Sequence, residues 1–378
     1  MAMATSFPEA MTAHPTVFAL HDTYQIFIPF SCEVIVSVRV GGELFYDDAN
    51  GMLRSGTPIH RVEIPMELLD AERSYTLIYR RMIERKPYFP TSEEPVELTY
   101  AFRPVPDEGP VHIYHISDAH NLEEPVIEAG RYFGRELDLL VLNGDIPNHS
   151  GQVENFGTIY RLASALTEGE IPVVFSRGNH DTRGICAERF GEYTPTENGR
   201  TYYTFRLGSL WGMVLDCGED KVDSSEEYGH TVCFHSFRRK ETEWIRRVIA
   251  NAKDEYLAMG VKRRLLISHI PFSYIQPPPF DIEQELYAEW CRLLREYIRP
   301  DLALHGHLHK TLVWLPGGEN DHLGQPCPAI IGSKPTRRSK ESLDAVPYFI
   351  GAAITLSGRD THVTFNGSDG TVFGEFDL

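Results

Sequence analysis

The side chains of this 378-residue chain that could do chemistry together fall in five short blocks. Asp118 and His120 come first, then Asp145, then Asn179 with His180 and Asp181, then His269, and last His307 with His309. Carboxylate, amide oxygen and imidazole donors suit divalent manganese, iron or zinc, whereas calcium favours an all-oxygen shell. Seven of these residues are candidate metal ligands: Asp118, His120, Asp145, Asn179, His269, His307 and His309. That number exceeds one tetrahedral site and matches two ions sharing a bridging carboxylate. Two ions about 3.5–4 Å apart can activate a water and neutralise a phosphate facing it. In the run Arg177-Gly178-Asn179-His180-Asp181, His180 is a candidate proton donor and Asp181 an acceptor that would orient its imidazole.

Each block alone is weak, because Asn, His and Asp are common in loops after strands. Their weight comes from the elements that must position them. Apolar runs at 111–116, 139–142, 171–175, 264–268 and 302–304 read as strands, and each delivers one block at its C-terminal end. Helical patterns lie between them, at roughly 125–135 and 153–167. Further on, one helical face carries Trp244, Ile245, Val248 and Ile249. A second helix, with Asp281 as its cap, carries Leu286, Trp290, Leu293, Leu294 and Tyr297. Ligands at strand ends are where open α/β sheets put them. Two strand-rich halves predict two sheets packed face to face, with helices outside.

Residues 15 to about 103 read as strands only. Val34, Val36, Val38 and Val40 alternate with Glu33, Ile35, Ser37 and Arg39, the period of a half-buried strand. The expectation is an immunoglobulin- or fibronectin-III-like β-sandwich over 1–108, serving packing or homodimer formation, ahead of a catalytic domain over 109–378. Pro104, Pro106, Gly109 and Pro110 mark the boundary.

Composition narrows the partners. A formal net charge of -18 argues against long nucleic acids, whose binding draws on Lys and Arg, but leaves a small phosphorylated substrate open. Six cysteines without a CxxC pair point to a reducing compartment. Met1 to His14 lacks a signal-peptide pattern, and no apolar run is long enough to span a bilayer, so a cytoplasmic protein without a membrane partner is expected.

The blocks Asp118-Ala119-His120, Gly144-Asp145, Gly178-Asn179-His180-Asp181, His269 and Gly306-His307-Leu308-His309 resemble, in this order, those of the calcineurin-like metallophosphoesterases. The resemblance implies an α/β/β/α sandwich and a dinuclear centre that hydrolyses phosphoric esters. It implies Asp118, His120 and His309 on one metal, Asn179, His269 and His307 on the other, and Asp145 bridging them. A metal-bridging hydroxide would attack phosphorus in line, and His180 would protonate the leaving group with Asp181 holding its ring. With its β-rich N-terminal region the chain is also similar to purple acid phosphatases. Asn148, however, stands where those enzymes place a tyrosine ligand, so no ferric–phenolate site is implied.

Substrate contacts are less determined. Asn148 and His149 follow the bridging aspartate and reach the substrate or are loop residues without a role. Arg177 and Arg183 flank His180 and either bind phosphate oxygens or form salt bridges. The basic run Lys334, Arg337, Arg338 and Lys340 is a solvated loop or a phosphate contact, and His305 a second hydrogen-bonding layer or a satisfied strand residue. The rival activities are a nuclease or cyclic-nucleotide phosphodiesterase and a phosphoprotein phosphatase. A metal-binding scaffold without catalysis is the non-enzymatic alternative.

Overall fold

The computed structural model describes residues 7–337 and 347–378. Three apolar strands, Val111–Ile116, Leu139–Asn143 and Pro172–Ser176, pair in parallel at the centre of a ten-stranded sheet. On one side Pro347–Ser357, Asp360–Gly367 and Val372–Asp377 extend it antiparallel. A second sheet of six strands is built on Leu210–Leu215, Arg263–Ser268 and Leu302–His305, again parallel.

The second sheet is apolar on both faces, which tells how it is sandwiched. Leu265, Ile267, Leu302 and Leu304 join the core shared with the first sheet. Leu266 and Ala303, one residue out of phase, join a separate core under the helices Phe234–Ala250 and Gln284–Leu293. Trp211, Trp244 and Trp290 are all buried in that outer core. The first sheet is covered by Glu124–Gly130 and Gly157–Thr167, which bury Val126, Ile159, Leu162 and Ala163. Two sheets flanked by helices are therefore the architecture, as the residue patterns predict. The helix expected to be capped by Asp281 begins instead at Gln284, with Glu283 in the left-handed conformation before it.

The N-terminal region departs from a freestanding sandwich. Thr16–Leu20 pairs in parallel with Pro172–Ser176, and Thr23–Pro29 and Ile59–Pro65 continue from it antiparallel, so these three strands extend the main sheet. Val34–Val40, Glu43–Tyr46, Ser74–Glu84 and Val96–Ala101 form a smaller sheet that packs on this extension. Phe30 meets Tyr79 between the two layers at 5.0 Å, and residues of both join the same core as the central strands. A sandwich does form, but one of its layers is the edge of the central sheet, and no break in that sheet divides the N-terminal strands from the central ones. Period-two alternation reports that a strand is half-buried and carries no information on which sheet it enters.

Among the described residues, no helix is long and apolar enough to cross a membrane. All six cysteines are free. Lys334 and Arg337 bound a short strand against Pro347–Ser357, whereas Arg338 and Lys340 lie outside the described residues.

Phe18 is fully buried and edge-on to Phe27 at 5.5 Å and Phe175 at 6.2 Å, tying the N-terminal strand to both neighbours. Phe18→Ala should cost about 3–5 kcal/mol, read as a lowered urea midpoint for the whole molecule. A fragment spanning 109–378 would bare the edge of Pro172–Ser176 and should aggregate on expression. A soluble fragment with an undiminished melting temperature would show that the extension is dispensable.

Candidate metal centre

All five sequence blocks meet at the C-terminal ends of the parallel strands, three from the first sheet and two from the second. The connecting turns are sharp. Asp118, His120, Asp145, His307 and His309 all have positive φ, between 46° and 67°. This conformation costs a non-glycine residue about 1–3 kcal/mol and persists only where surrounding structure enforces it. Neighbouring turns supply that enforcement through Asp118 N–H to Gly144 O at 3.1 Å, His120 N–H to Asp145 O at 3.0 Å and Gly306 N–H to His269 O at 2.8 Å. Two glycines of the motifs are demanded by space: a Cβ on Gly178 would sit 2.2 Å from Asp145 Oδ1, and one on Gly306 1.7 Å from Ser117 Oγ.

The donors form three overlapping groups, each with its ligand atoms within 4.8 Å of one another: Asp118, His120 and His309; His120, Asp145 and His180; and Asp145, His269 and His307. Ligands about 2.0–2.2 Å from one ion are separated by up to roughly 4.4 Å, so each group is close to the span of a single site. His120 Nε2 and His309 Nε2 point at each other across 3.1 Å, and His309 Nε2 lies 3.4 Å from Asp118 Oδ1. His269 Nε2 is 3.1 Å from Asp145 Oδ2 and 3.8 Å from Asp118 Oδ1. Asn179 directs Oδ1 to within 3.0 Å of His307 Nδ1. Turned over, its amide would instead donate to Asp145 Oδ2 at 3.3 Å and to His307 Nδ1 at 3.0 Å, and its oxygen would accept from Arg183 NH2 at 3.1 Å. An amide oxygen facing a carboxylate and an imidazole lone pair is the orientation a shared cation stabilises. The residues present therefore fit a pair of divalent ions, with Asp145 common to two groups.

Electrostatics agree with a cation trap. Burial pushes His307 down to about 4 and lowers His120, keeping both rings neutral. Burial also opposes charge on His269, but the Asp145 carboxylate, its hydrogen bond and Asp118 outweigh it and carry His269 up to about 10. Asp145 and Asp118 are held below the usual carboxylate range despite burial, Asp145 chiefly by His269 and Asp118 by its hydrogen bond from His309 and by His269. One protonated imidazole thus stands where positive charge is wanted.

The remaining candidates divide. His180 lies in this cluster, its ring 4.6 Å from that of His120, and its Nδ1 donates to Asn148 O at 3.0 Å. The expected role of Asp181 is therefore corrected: its Oδ2 accepts the N–H of Gly178 at 2.7 Å and of Asp145 at 3.1 Å, bracing the turn instead of the imidazole. Burial and the Asp145 carboxylate raise Asp181 to about 8. Of the two readings for Arg177, the structure shows a salt bridge. Its Nε lies 2.7 Å from buried Asp216, and Phe190, Phe234 and Phe237 surround the guanidinium within 6 Å. His149 is exposed, with Nδ1 accepting from Gly151 N at 3.0 Å within its own loop. Arg183 is clamped by Glu219, with NH1 3.4 Å from His180 Nε2. His305 bonds Ser268 O and Oγ and serves the strand, not a ligand. His60, His112 and His362 each pair with a carboxylate elsewhere, as residues outside the motifs should.

The residue that sequence reasoning missed is Asn143. Its backbone carbonyl accepts His269 Nδ1–H at 2.7 Å and Ser117 Oγ–H at 2.8 Å, which turns His269 Nε2 toward the carboxylates. Its side-chain Nδ2 donates to Leu304 O at 3.1 Å and Ser268 O at 3.3 Å, joining the two sheets beneath the site. Its only signal in the sequence is its place directly before Gly144-Asp145.

Residues 111–311 match the model of the calcineurin-like phosphoesterase family. No curated protein matches in sequence. Among solved structures, the purple acid phosphatase PPD1 from yellow lupin (Lupinus luteus) seeds superposes with a TM-score of 0.61 at 13% identity, covering 97% of this chain and 73% of that one. A structure of PhoD superposes with a TM-score of 0.54 at 12% identity, covering 100% and 90%. At these identities the likeness is one of fold, and it extends over the N-terminal strands as well as the matched region.

A ligating imidazole must be neutral, whereas His269 without a cation holds its proton at neutral pH. Adding manganese or zinc to the metal-free protein should therefore release protons, and affinity should weaken as pH falls. Titration in weak buffer with a pH indicator checks this, and uptake without proton release would contradict it.

Proposed function

The chain belongs to the calcineurin-like phosphoesterase family, and on that footing we propose that it is a metal-dependent hydrolase of a phosphomonoester or small phosphodiester. The observation that carries this reading is the overlap of the three donor groups at Asp145 and His120, which provides room for two ions and not merely one. Asp118, His120 and His309 would hold one divalent ion, and Asn179, His269 and His307 the other, with Asp145 shared. When bound, such ions acidify water to a nucleophile at neutral pH and offset phosphoryl charge; manganese, iron and zinc all suit these donors.

The chain's own residues supply the rest. Asn143 O fixes the tautomer of His269, so that the nitrogen facing the centre is Nε2. Asn148 O does the same for His180, accepting from Nδ1–H, so that the other ring nitrogen is Nε2, 3.4 Å from Arg183 NH1. From there Nε2 can deliver a proton to a departing alkoxide, a step worth about 10²–10⁴-fold in rate. Asp181 keeps Asp145 and Gly178 in register through two backbone bonds, so its contribution to catalysis runs through the turn. The acidic balance of the chain favours a small substrate over a polymer.

Two variants test these assignments. His180→Ala should lower kcat about 10²–10⁴-fold on alkyl phosphates and far less on para-nitrophenyl phosphate, whose leaving group needs no proton. Equal losses on both would remove His180 from the acid role. Asp145→Asn should reduce the content of both metals in the purified protein, and full stoichiometry by elemental analysis would exclude a shared carboxylate.

A further inference from the structure

The loop after Leu210–Leu215 carries Glu219, Asp220 and Glu227, an arrangement at odds with a site for anionic esters unless these carboxylates are already engaged. They are. Lys221 Nζ lies 3.1 Å from Asp220 and 2.8 Å from Glu227, and Tyr228 Oη donates within 3.1 Å of both Glu219 and Asp220. Glu219, buried to 1% exposure, holds Arg183 most closely: Oε1 accepts from Nε at 2.9 Å and Oε2 from NH2 at 3.0 Å, while Asp220 and Glu227 stand 3.7 and 3.5 Å from NH2. Thr182 Oγ1 adds a bond to Oε1 at 2.9 Å. The backbone of Glu219 is held in turn by buried Arg238, which donates to its carbonyl and, at 2.7 Å, to that of Cys217.

A fork-to-fork pair uses two of the three guanidinium nitrogens and fixes the plane of the group. The third nitrogen, NH1, is turned to His180 Nε2 at 3.4 Å, the nitrogen that would face the leaving group. We propose that Arg183 NH1 donates to a non-bridging phosphoryl oxygen of bound substrate, and that Glu219 is the positioning residue that holds it in place. The proposal rests on the phosphoesterase reading and adds to it the group that orients the ester beside its proton donor. It also assigns the acidic loop a purpose, that of anchoring a cation instead of repelling a substrate.

The test uses the metal-loaded full-length protein, with para-nitrophenyl phosphate as probe and melting temperature and metal content measured alongside. Arg183→Ala should lower kcat/KM by about 10- to 100-fold, the worth of a charge-assisted hydrogen bond. Guanidinium chloride below denaturing concentrations should restore part of that loss with saturation. In Arg183→Ala combined with Glu219→Gln the rescue should largely vanish, because the carboxylate that seats the guanidinium is gone. Arg183→Lys, which keeps the charge without the fork, should stay below the parent in kcat/KM at unchanged metal content. Arg183→Ala or Arg183→Lys matching the parent, or equal rescue in the single and double variants, would overturn the assignment while leaving the phosphoesterase reading intact. A parent without turnover under any of the metals would instead remove that reading itself.

Discussion

Two carboxylates without solvent access set the terms for this molecule. Asp118 and Asp145 are buried within reach of one imidazole, His269, which stands 3.8 Å from one and 3.1 Å from the other. Withdrawing a carboxylate from water costs several kcal/mol unless opposite charge replaces the lost hydration. The protein offers the protonated His269, His309 Nε2 at 3.4 Å from Asp118, the N–H of His307, which reaches Asp118 at 3.0 and 3.1 Å, and the N–H of His180, which reaches Asp145 at 2.8 Å. The neutral rings of His120 and His307 supply lone pairs and no charge. The arrangement is poised for more positive charge than the polypeptide contributes, and the strained turns and the close-packed Gly178 and Gly306 exist to keep it so.

How much of this is legible in the sequence depends on what each residue reports about itself. Asp118, His120, Asp145, Asn179, His269, His307 and His309 are legible because each is a donor by type and each ends an apolar run. The parallel strands then bring them together without further information. Asp181 and Arg177 mislead for a shared reason: proximity in sequence to His180 suggests contact with it. The turn after Pro172–Ser176 instead sends Asp181 back under Gly178 and Arg177 outward among three phenyl rings. Asn143 escapes notice because its effect passes through a backbone carbonyl, which every residue has. Glu219 is visible only as part of an acidic loop, since its partner is 36 positions earlier in the chain.

The same distinction explains the N-terminal region. Alternating valines announce the half-buried strand Val34–Val40 of the smaller sheet, whereas Thr16–Leu20 is buried along its whole length and shows no alternation that names its sheet. Only its pairing with Pro172–Ser176 places it in the central sheet, and that is a contact between strands whose sequences say nothing of one another.

That pairing has a consequence for biosynthesis. Val17 sits opposite Pro172, so this strand leaves the ribosome long before its partner exists. Until then its apolar residues, Val17, Phe18, Ala19 and Leu20, can rest only on the smaller N-terminal layers or on a chaperone. Closing so long a loop before any parallel pairing rewards it makes for slow acquisition of structure. Over 150 positions of chain must therefore be made between one half of this pairing and the other.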